Sequence, residues 1–445
     1  MHASRSTVVY LVYLLAMLRL AHKTQHRAPN LQGLHGFFWM LFTGEYAHLL
    51  LLGNVLGFAR SIQHTLKQGS SVSWVRAGLT SLHLLVLGRL GQLVRANVAS
   101  ARDFQEALVH HNLLSWEDAK HRIGKRSWGE WWSLWNPLPV TLHFPGTVTT
   151  VPYAWVGERH PHPLYMDIYR HTSCGPKPPI LLFVHGGGWV FGTKANLPAM
   201  FLQTIARHGW LVVSIDYRKA PFVGFPDNFI DCKRAIAFWR SSPNAAAYDA
   251  DTSKIVVCGE SAGGHMVSLL ALTHYDKTFQ PGFEDVDCSV MGCIDLYGAH
   301  DLTDRFGLFG RGDVTKGNRY WVERFLMNRR LCQNRAEFET ASPLYHLLHE
   351  KPDHVPPFFL LHGAHDSVLP VEDSQEFYNA LVAYRRHKKQ WNATPDVFIP
   401  LPGAEHAFNV LPSPRAWAYG DAVAVYLDVL LTRTPADPGA RVAKL

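Results

Sequence analysis

Acidic residues are almost missing from the first hundred positions, where Glu45 stands alone against nine Lys and Arg. That stretch carries +8, while the other 345 residues sum to −1 within an overall charge of +7. The basic balance therefore belongs to the N-terminal segment, which excludes a nucleic-acid-binding catalytic half. Cysteine is scarce too. The six are Cys174, Cys232, Cys258, Cys288, Cys293 and Cys332, with no C-x-x-C pair or knuckle spacing. That spacing excludes a zinc knuckle and a disulfide framework, and Cys258, inside "KIVVCG", reads as a small buried hydrophobe. No histidine pair shows H-E-x-x-H spacing among the 26 histidines, so no metal site is expected. Repeats and low-complexity tracts are absent as well. Glycine (34) and proline (27) stand near average, against a fibrous or largely disordered chain. With 47% hydrophobic and 18% charged residues in 445, the chain can bury a full core and carry a second module.

No apolar run reaches 18 residues without a charge, the usual length for a spanning helix. Three patches come near it: "TVVYLVYLLAML" (7–18), "GFFWMLFTGEYAHLLLLGNVLGF" (36–58) and "AGLTSLHLLVLGRLGQLV" (77–94). Flanked by Arg and Lys, they fit helices lying in or across a bilayer, with soluble helices packed on the rest of the protein as the alternative. Basic residues on both sides of each patch leave its orientation open. The "LRLAHKTQHR" that follows the first patch is a poor cleavage site for a signal peptide. Residues 1–100 thus read as an apolar, basic, helical and membrane-associated segment, with an endomembrane address among the options. Residues 101–144 read as a connector or cap. "ARDFQEALVHHNLLSWEDAKHRIG" is a mixed-charge helix there, and "SWGEWWSLWNPLP" brings four tryptophans for a pocket rim, a membrane interface or plain packing.

From 145 to 432 short apolar runs alternate with helical segments. "TVTTVPYAWV", "LYMDIYR", "PILLFVH", "WLVVSIDYR", "KIVVCGES", "VMGCIDLYG", "PPFFLLHG" and "DVFIPLPG" read as strands. "NLPAMFLQTIARHG" and "DCKRAIAFWRSS" read as helices between them. The alternation predicts an α/β fold with a mostly parallel central sheet covered by helices, to which the apolar helical N-terminus is added. The span 301–331 shows no clear strand and is expected above the sheet edge. Residues 433–445 read as a tail.

Two glycine-bearing motifs carry the chemistry. Gly259-Glu260-Ser261-Ala262-Gly263 follows a predicted strand and precedes the helical run "HMVSLLALTH". That is where a strand-to-helix turn can expose a serine hydroxyl as nucleophile. Such a serine needs a base, and the base needs an orienting acid. Asp366 follows the strand "FFLLHG", and His406 follows the last predicted strand, giving the order Ser261, Asp366, His406 at gaps of 105 and 40 residues. His362, His365, Glu405 and Asp353 are the nearby rivals. Glu260, beside the nucleophile, reads as a support of the turn. The second motif, "LLFVHGGGWVFG", ends a strand on three glycines whose bare backbone can bring N–H groups to a carbonyl oxygen. Attack on a carbonyl creates an oxyanion that needs such donors. Ala262 N–H is expected to be one, and Gly187 with either Gly186 or Gly188 supplies the rest.

With "HGGGW" (185–189), "SIDYRKAP" (214–221), "GESAGG" (259–264), "LLHGAHDSVLP" (360–370) and "PGAEHAF" (402–408) in order, the chain resembles the hormone-sensitive-lipase group of α/β-hydrolases. It is similar to bacterial lipase/esterases through "QPGFED", "DLYGAHDLTD" and "SPLYH". The resemblance covers residues 145–432 and implies a cofactor-free serine carboxylic ester hydrolase acting on a small-molecule or lipid ester. It also implies that Tyr217 and Arg218 support the sheet. Trp189 departs from the Phe of many relatives, which is expected to reshape the acyl pocket. The first 140 residues do not match the family core, although membrane-anchored deacetylases and prenylcysteine methylesterases join a similar domain to an apolar N-terminus. The same machinery would serve an amidase, a deacetylase or a deformylase. A non-catalytic ligand receptor on this fold typically lacks a triad member, and here all three are present. Asn392-Ala393-Thr394 is a glycosylation triplet whose use would place the domain in a lumen or outside.

Overall fold

Strands form where the apolar runs stand: β1 (Gly146–Val156), β2 (His162–His171), β3 (Pro179–Val184), β4 (Leu211–Ile215), β5 (Asp251–Glu260), β6 (Gly292–Leu296), β7 (Phe358–Gly363) and β8 (Val397–Leu401). The computed structural model describes residues 5–26, 33–67, 74–135, 144–157, 159–309, 317–350, 352–390 and 394–433. Residues 434–445 of the expected tail, the prolines closing the tryptophan-rich stretch and Asn392 lie outside the described residues. The sheet order is β1-β2-β4-β3-β5-β6-β7-β8. β1–β2 and β2–β4 pair antiparallel, and every later pair is parallel.

The continuous apolar runs follow from burial on both faces. Ile180, Leu182 and Val184 face one core, and Leu181 and Phe183 face the other. The period of two sends alternate side chains to opposite sides. Helices α5 (Ala199–Arg207), α6 (Asp227–Arg240), α7 (Ala262–Leu272), α8 (Val371–Lys388) and α9 (Pro414–Thr432) help cover the two faces. The parallel strands place their carboxyl ends on one edge, and the loops there carry Ser261, Asp366 and the glycine run.

Before the sheet come α1 (Arg5–Gln25), α2 (Gly33–Glu45), α3 (Ala47–Lys67) and α4 (Trp74–His110). α4 runs unbroken through residue 100, where the sequence divides segment from connector. At 37 residues it is about 55 Å long, and it is long and apolar enough to cross a bilayer. Its first half packs on α1 and α3, with Leu14, Met17 and Ala21 of α1, Ala47 of α3 and Val86, Leu90 and Leu93 of α4 in one buried cluster. Its second half joins the catalytic core through Phe104 and Leu108. Glu45, the lone acid of the N-terminal hundred, has its charge matched at this junction. Its carboxylate accepts from Arg415 Nη1 at 2.5 Å and from Ser413 Oγ at 2.7 Å, all three residues being buried. Arg415 Nε also donates to Ser100 Oγ at 3.1 Å, and Asn97 Nδ2 to Gly44 O at 2.9 Å. The tryptophans divide. Trp131 packs edge-on against Trp417 and Trp135 against His48, while Trp128 and Trp132 are exposed.

Candidate active site

β5 ends at Glu260 and α7 begins at Ala262, so Ser261 alone makes the turn. Its backbone takes φ 52° and ψ −115°, a conformation that only surrounding packing sustains. Gly263 permits it: a Cβ there would lie 2.0 Å from the carbonyl oxygen of Val184 on β3. The Ser261 N–H donates to Leu296 O at 2.8 Å, tying the turn to β6.

Three strand ends bring the expected triad residues together. His406, in the loop after β8, has Nε2 at 3.0 Å from Ser261 Oγ. Its Nδ1–H donates to Asp366 Oδ2 at 2.6 Å, which leaves Nε2 free to accept from the serine hydroxyl. Asp366 sits in the turn after β7, where its Oδ1 accepts from Val368 N at 2.8 Å and Leu369 N at 2.7 Å. Burial alone would raise this carboxyl. The neighbouring His406 charge and hydrogen bonds from His362 and His406 outweigh it and hold Asp366 well below the usual carboxylate range.

The rivals have other places. His362, on β7, lies with Nε2 3.1 Å from Asp366 Oδ2 and Nδ1 2.7 Å from Ser374 Oγ, so it flanks the acid from below. His365 turns away, with Nδ1 3.3 Å from Thr24 O of α1. Asp353 is exposed and faces Lys388 at 3.6 Å. Glu405 braces the loops: Oε1 accepts from Ser367 N and Oγ, both at 2.7 Å, and from His406 N at 2.9 Å. Burial, reinforced by the Asp366 charge, pushes its carboxyl up to about 7 against those hydrogen bonds.

Residues outside the expected triad complete the surroundings of His406. The Tyr297 ring lies 4.6 Å from the imidazole, centre to centre, and its hydroxyl donates to Asn409 Oδ1 at 2.5 Å. Asn409 Nδ2 donates to Glu260 Oε1 at 2.5 Å. Burial pushes the Glu260 carboxyl up to about 8 despite the bond from Asn409. Phe37 of α2 meets the His406 ring edge-on at 6.1 Å. No local sequence signal ties Phe37 to His406, or Asn409 to Glu260 and Tyr297; only the assembled fold does.

The glycine loop lies across the Ser261 turn. At Gly186 a Cβ would be 3.3 Å from Ser261 Cβ and 2.9 Å from Glu260 O. Gly187 has φ +115°, and a Cβ there would meet Phe191 O at 2.4 Å. Among the described residues, the N–H groups of Gly186, Gly187, Gly188 and Ala262 have no protein acceptor. Trp321 Nε1 donates to Gly188 O at 2.9 Å, a second partner without a sequence signal. Trp189 is buried in the main core, where its Nε1 donates to His265 Nδ1 at 3.3 Å. Tyr217 stacks on His185, and Arg218 pairs with Asp231, both as supports.

Residues 166–381 match the BD-FAE family model. A probable carboxylic ester hydrolase of Mycobacterium tuberculosis, LipM, is 30% identical over 424 residues, covering 91% of this chain and 90% of its own length. That span exceeds residues 145–432, so the similarity extends into the N-terminal helices that the family-core motifs leave out. Esterase LipQ of the same organism is 32% identical, covering 65% of this chain and 66% of its own. Among solved structures, a truncated carbohydrate esterase from gut microbiota covers 65% of this chain and 98% of its own at a TM-score of 0.53 and 21% identity. A thermophilic esterase of the planctomycete Thermogutta terrifontis covers 67% and 100% at a TM-score of 0.50 and 24% identity. These structures share the fold. Sheet order, strand-end loops and relatives agree: the chain belongs to the α/β-hydrolase-fold esterases of the hormone-sensitive-lipase group and is a carboxylic ester hydrolase.

Proposed function

We propose that hydrolysis runs through Ser261 as nucleophile, His406 as general base and acid, and Asp366 as the orienting carboxylate. The observation that carries this reading is the unbroken run Asp366 Oδ2–His406 Nδ1 at 2.6 Å and His406 Nε2–Ser261 Oγ at 3.0 Å, at a strained strand-to-helix turn. Ser261 Oγ attacks the ester carbonyl as His406 Nε2 takes its proton. Asp366, kept ionised, holds the imidazole in the Nδ1–H tautomer and stabilises its cation. His406 then returns the proton to the leaving alcohol. A water molecule, deprotonated by the same nitrogen, releases the acid and frees the serine.

The oxyanion is received by Ala262 N–H and by Gly187 N–H, with Gly186 or Gly188 beside it. Their lack of protein acceptors and the closeness of Gly186 to Ser261 support this role. The substrate is a small-molecule or lipid ester, and the apolar N-terminal helices bring the enzyme to a membrane. An amide would use the same groups, but LipM is named for ester hydrolysis, and that likeness favours the ester.

Turnover of a p-nitrophenyl ester and its matched p-nitroanilide tests both points. The ester is expected to react far faster, and Ser261→Ala to abolish the reaction. Faster anilide turnover would make the enzyme an amidase. Activity that survives in Ser261→Ala would remove the triad.

A further inference from the structure

Helices α1 to α4 carry an apolar outer surface as well as an apolar interior. Their exposed apolar side chains include Val9 (68%), Val12 (60%), Leu56 (62%) and Leu85 (59%). Between the helices, buried polar groups accompany the apolar contacts of Leu14, Val86 and Leu90. The Tyr10 hydroxyl bonds His83 Nδ1, and Tyr13 OH donates to Asn54 Oδ1 at 3.1 Å. Asn54 Nδ2 in turn donates to Leu50 O at 2.8 Å. Apolar faces turned outward, with hydrogen-bonded polar side chains between helices, are what a hydrocarbon solvent favours and water does not. Cations bracket this surface. Arg19 and Lys23 lie toward the end of α1, while Arg60, Lys67 and Arg76 lie where α3 ends and α4 begins. Their charge suits anionic headgroups.

This surface is continuous with the catalytic site. On α2, Phe37, Met40, Leu41 and Glu45 face inward, whereas Phe38 and Trp39 (50% each) and Phe42 (44%) face out. Both faces of α2 are thus apolar, a pattern that a single-sided soluble helix does not need. The inward face ends on His406 through Phe37, and α1 reaches the acid loop through Thr24 and His365. A single helix stands between the outer apolar surface and the base.

We propose that the N-terminal helices sit in an anionic bilayer with α2 at its surface. The substrate is then a lipophilic ester that reaches Ser261 from the membrane past Phe37, a specificity-determining wall residue. The inference rests on the triad reading for its chemistry but not for its membrane contact. The test uses the full chain with vesicles of phosphatidylcholine and phosphatidylglycerol. p-Nitrophenyl palmitate is dissolved in the vesicles and p-nitrophenyl acetate in the buffer.

The wild type is expected to float with the vesicles, and Phe38→Asp/Phe42→Asp to remain in solution. That double variant should lower the palmitate-to-acetate turnover ratio about tenfold or more. Phe37→Ala should lower the ratio while still floating. A wild type that ignores vesicles, or variants with an unchanged ratio, would overturn the proposal. So would a stable dimer formed through Phe38 and Phe42, which would put a second copy on this face. Acetate turnover independent of Ser261 would instead sink the triad reading and leave the flotation result standing.

Discussion

In the sheet domain, Leu181, Phe183 and Val212 are inside, and a charge in the interior is held between partners. His300 is the clearest case, with Nε2 2.8 Å from Asp295 and Nδ1 2.9 Å from Asp373. Burial alone would lower it, yet the two carboxylates push it up to about 9. In α1 to α4 apolar residues stand on both sides, with Val9 and Leu56 outside and Leu14 and Val86 inside beside Asn54 and His83. The difference is what the proposed membrane contact would require of α1 to α4, and the candidate site lies beside their junction with the sheet domain. Glu45–Arg415 joins the two regions, and Phe37 brings the second region to the base of the first.

Cutting the joint is expected to have the largest effect. Arg415→Met leaves Glu45 buried without its cation, which should cost about 3–5 kcal/mol in denaturant unfolding. The double variant Glu45→Gln/Arg415→Met should recover part of that loss. An unchanged midpoint in the single variant would mean that the two regions are held together elsewhere.

Next comes a change confined to the sheet domain. Gly187→Val puts a β-branched side chain at φ +115° and into Phe191 O. Turnover should fall about 10²- to 10³-fold through displaced oxyanion donors, while vesicle binding persists. Near-normal activity would remove Gly187 from the oxyanion site.

A third change tests the electrostatics of the turn. Glu260 rises from 4.5 unfolded to about 8 folded, because burial disfavours its charge. The folded state therefore holds a proton that the unfolded chain gives up between those values. Stability of the wild type should fall relative to Glu260→Gln as pH rises from about 5 to about 8. Melting temperatures of both proteins across that range test it, and a pH-independent difference would contradict the assignment.

Much of this architecture was readable from short local patterns. The strands were, because burial on both faces demands continuous apolar runs such as "PILLFVH". Ser261, Asp366 and His406 were, because each must follow a strand end in a set order, and the structure brings these three together. Other partners were not. Phe37 meets His406 across more than 360 residues of chain, and Trp321 finds Gly188 from a span with no strand. Contacts of that kind depend on how helices dock, which periodicity does not encode. Glu45 looked like an interruption of an apolar run, whereas its meaning lies in Arg415. Trp189, expected to reshape the acyl pocket, is buried in the main core with its Nε1 donating to His265 Nδ1.

The central claim is that Ser261 is the nucleophile, and fluorophosphonate labelling of the full chain tests it most directly. The wild type should take up one phosphonyl group, mapped by mass to the peptide containing Ser261, with loss of esterase activity in step. Ser261→Ala should take up none. Labelling at another residue, or an Ser261→Ala protein that labels as the wild type does, would contradict the account.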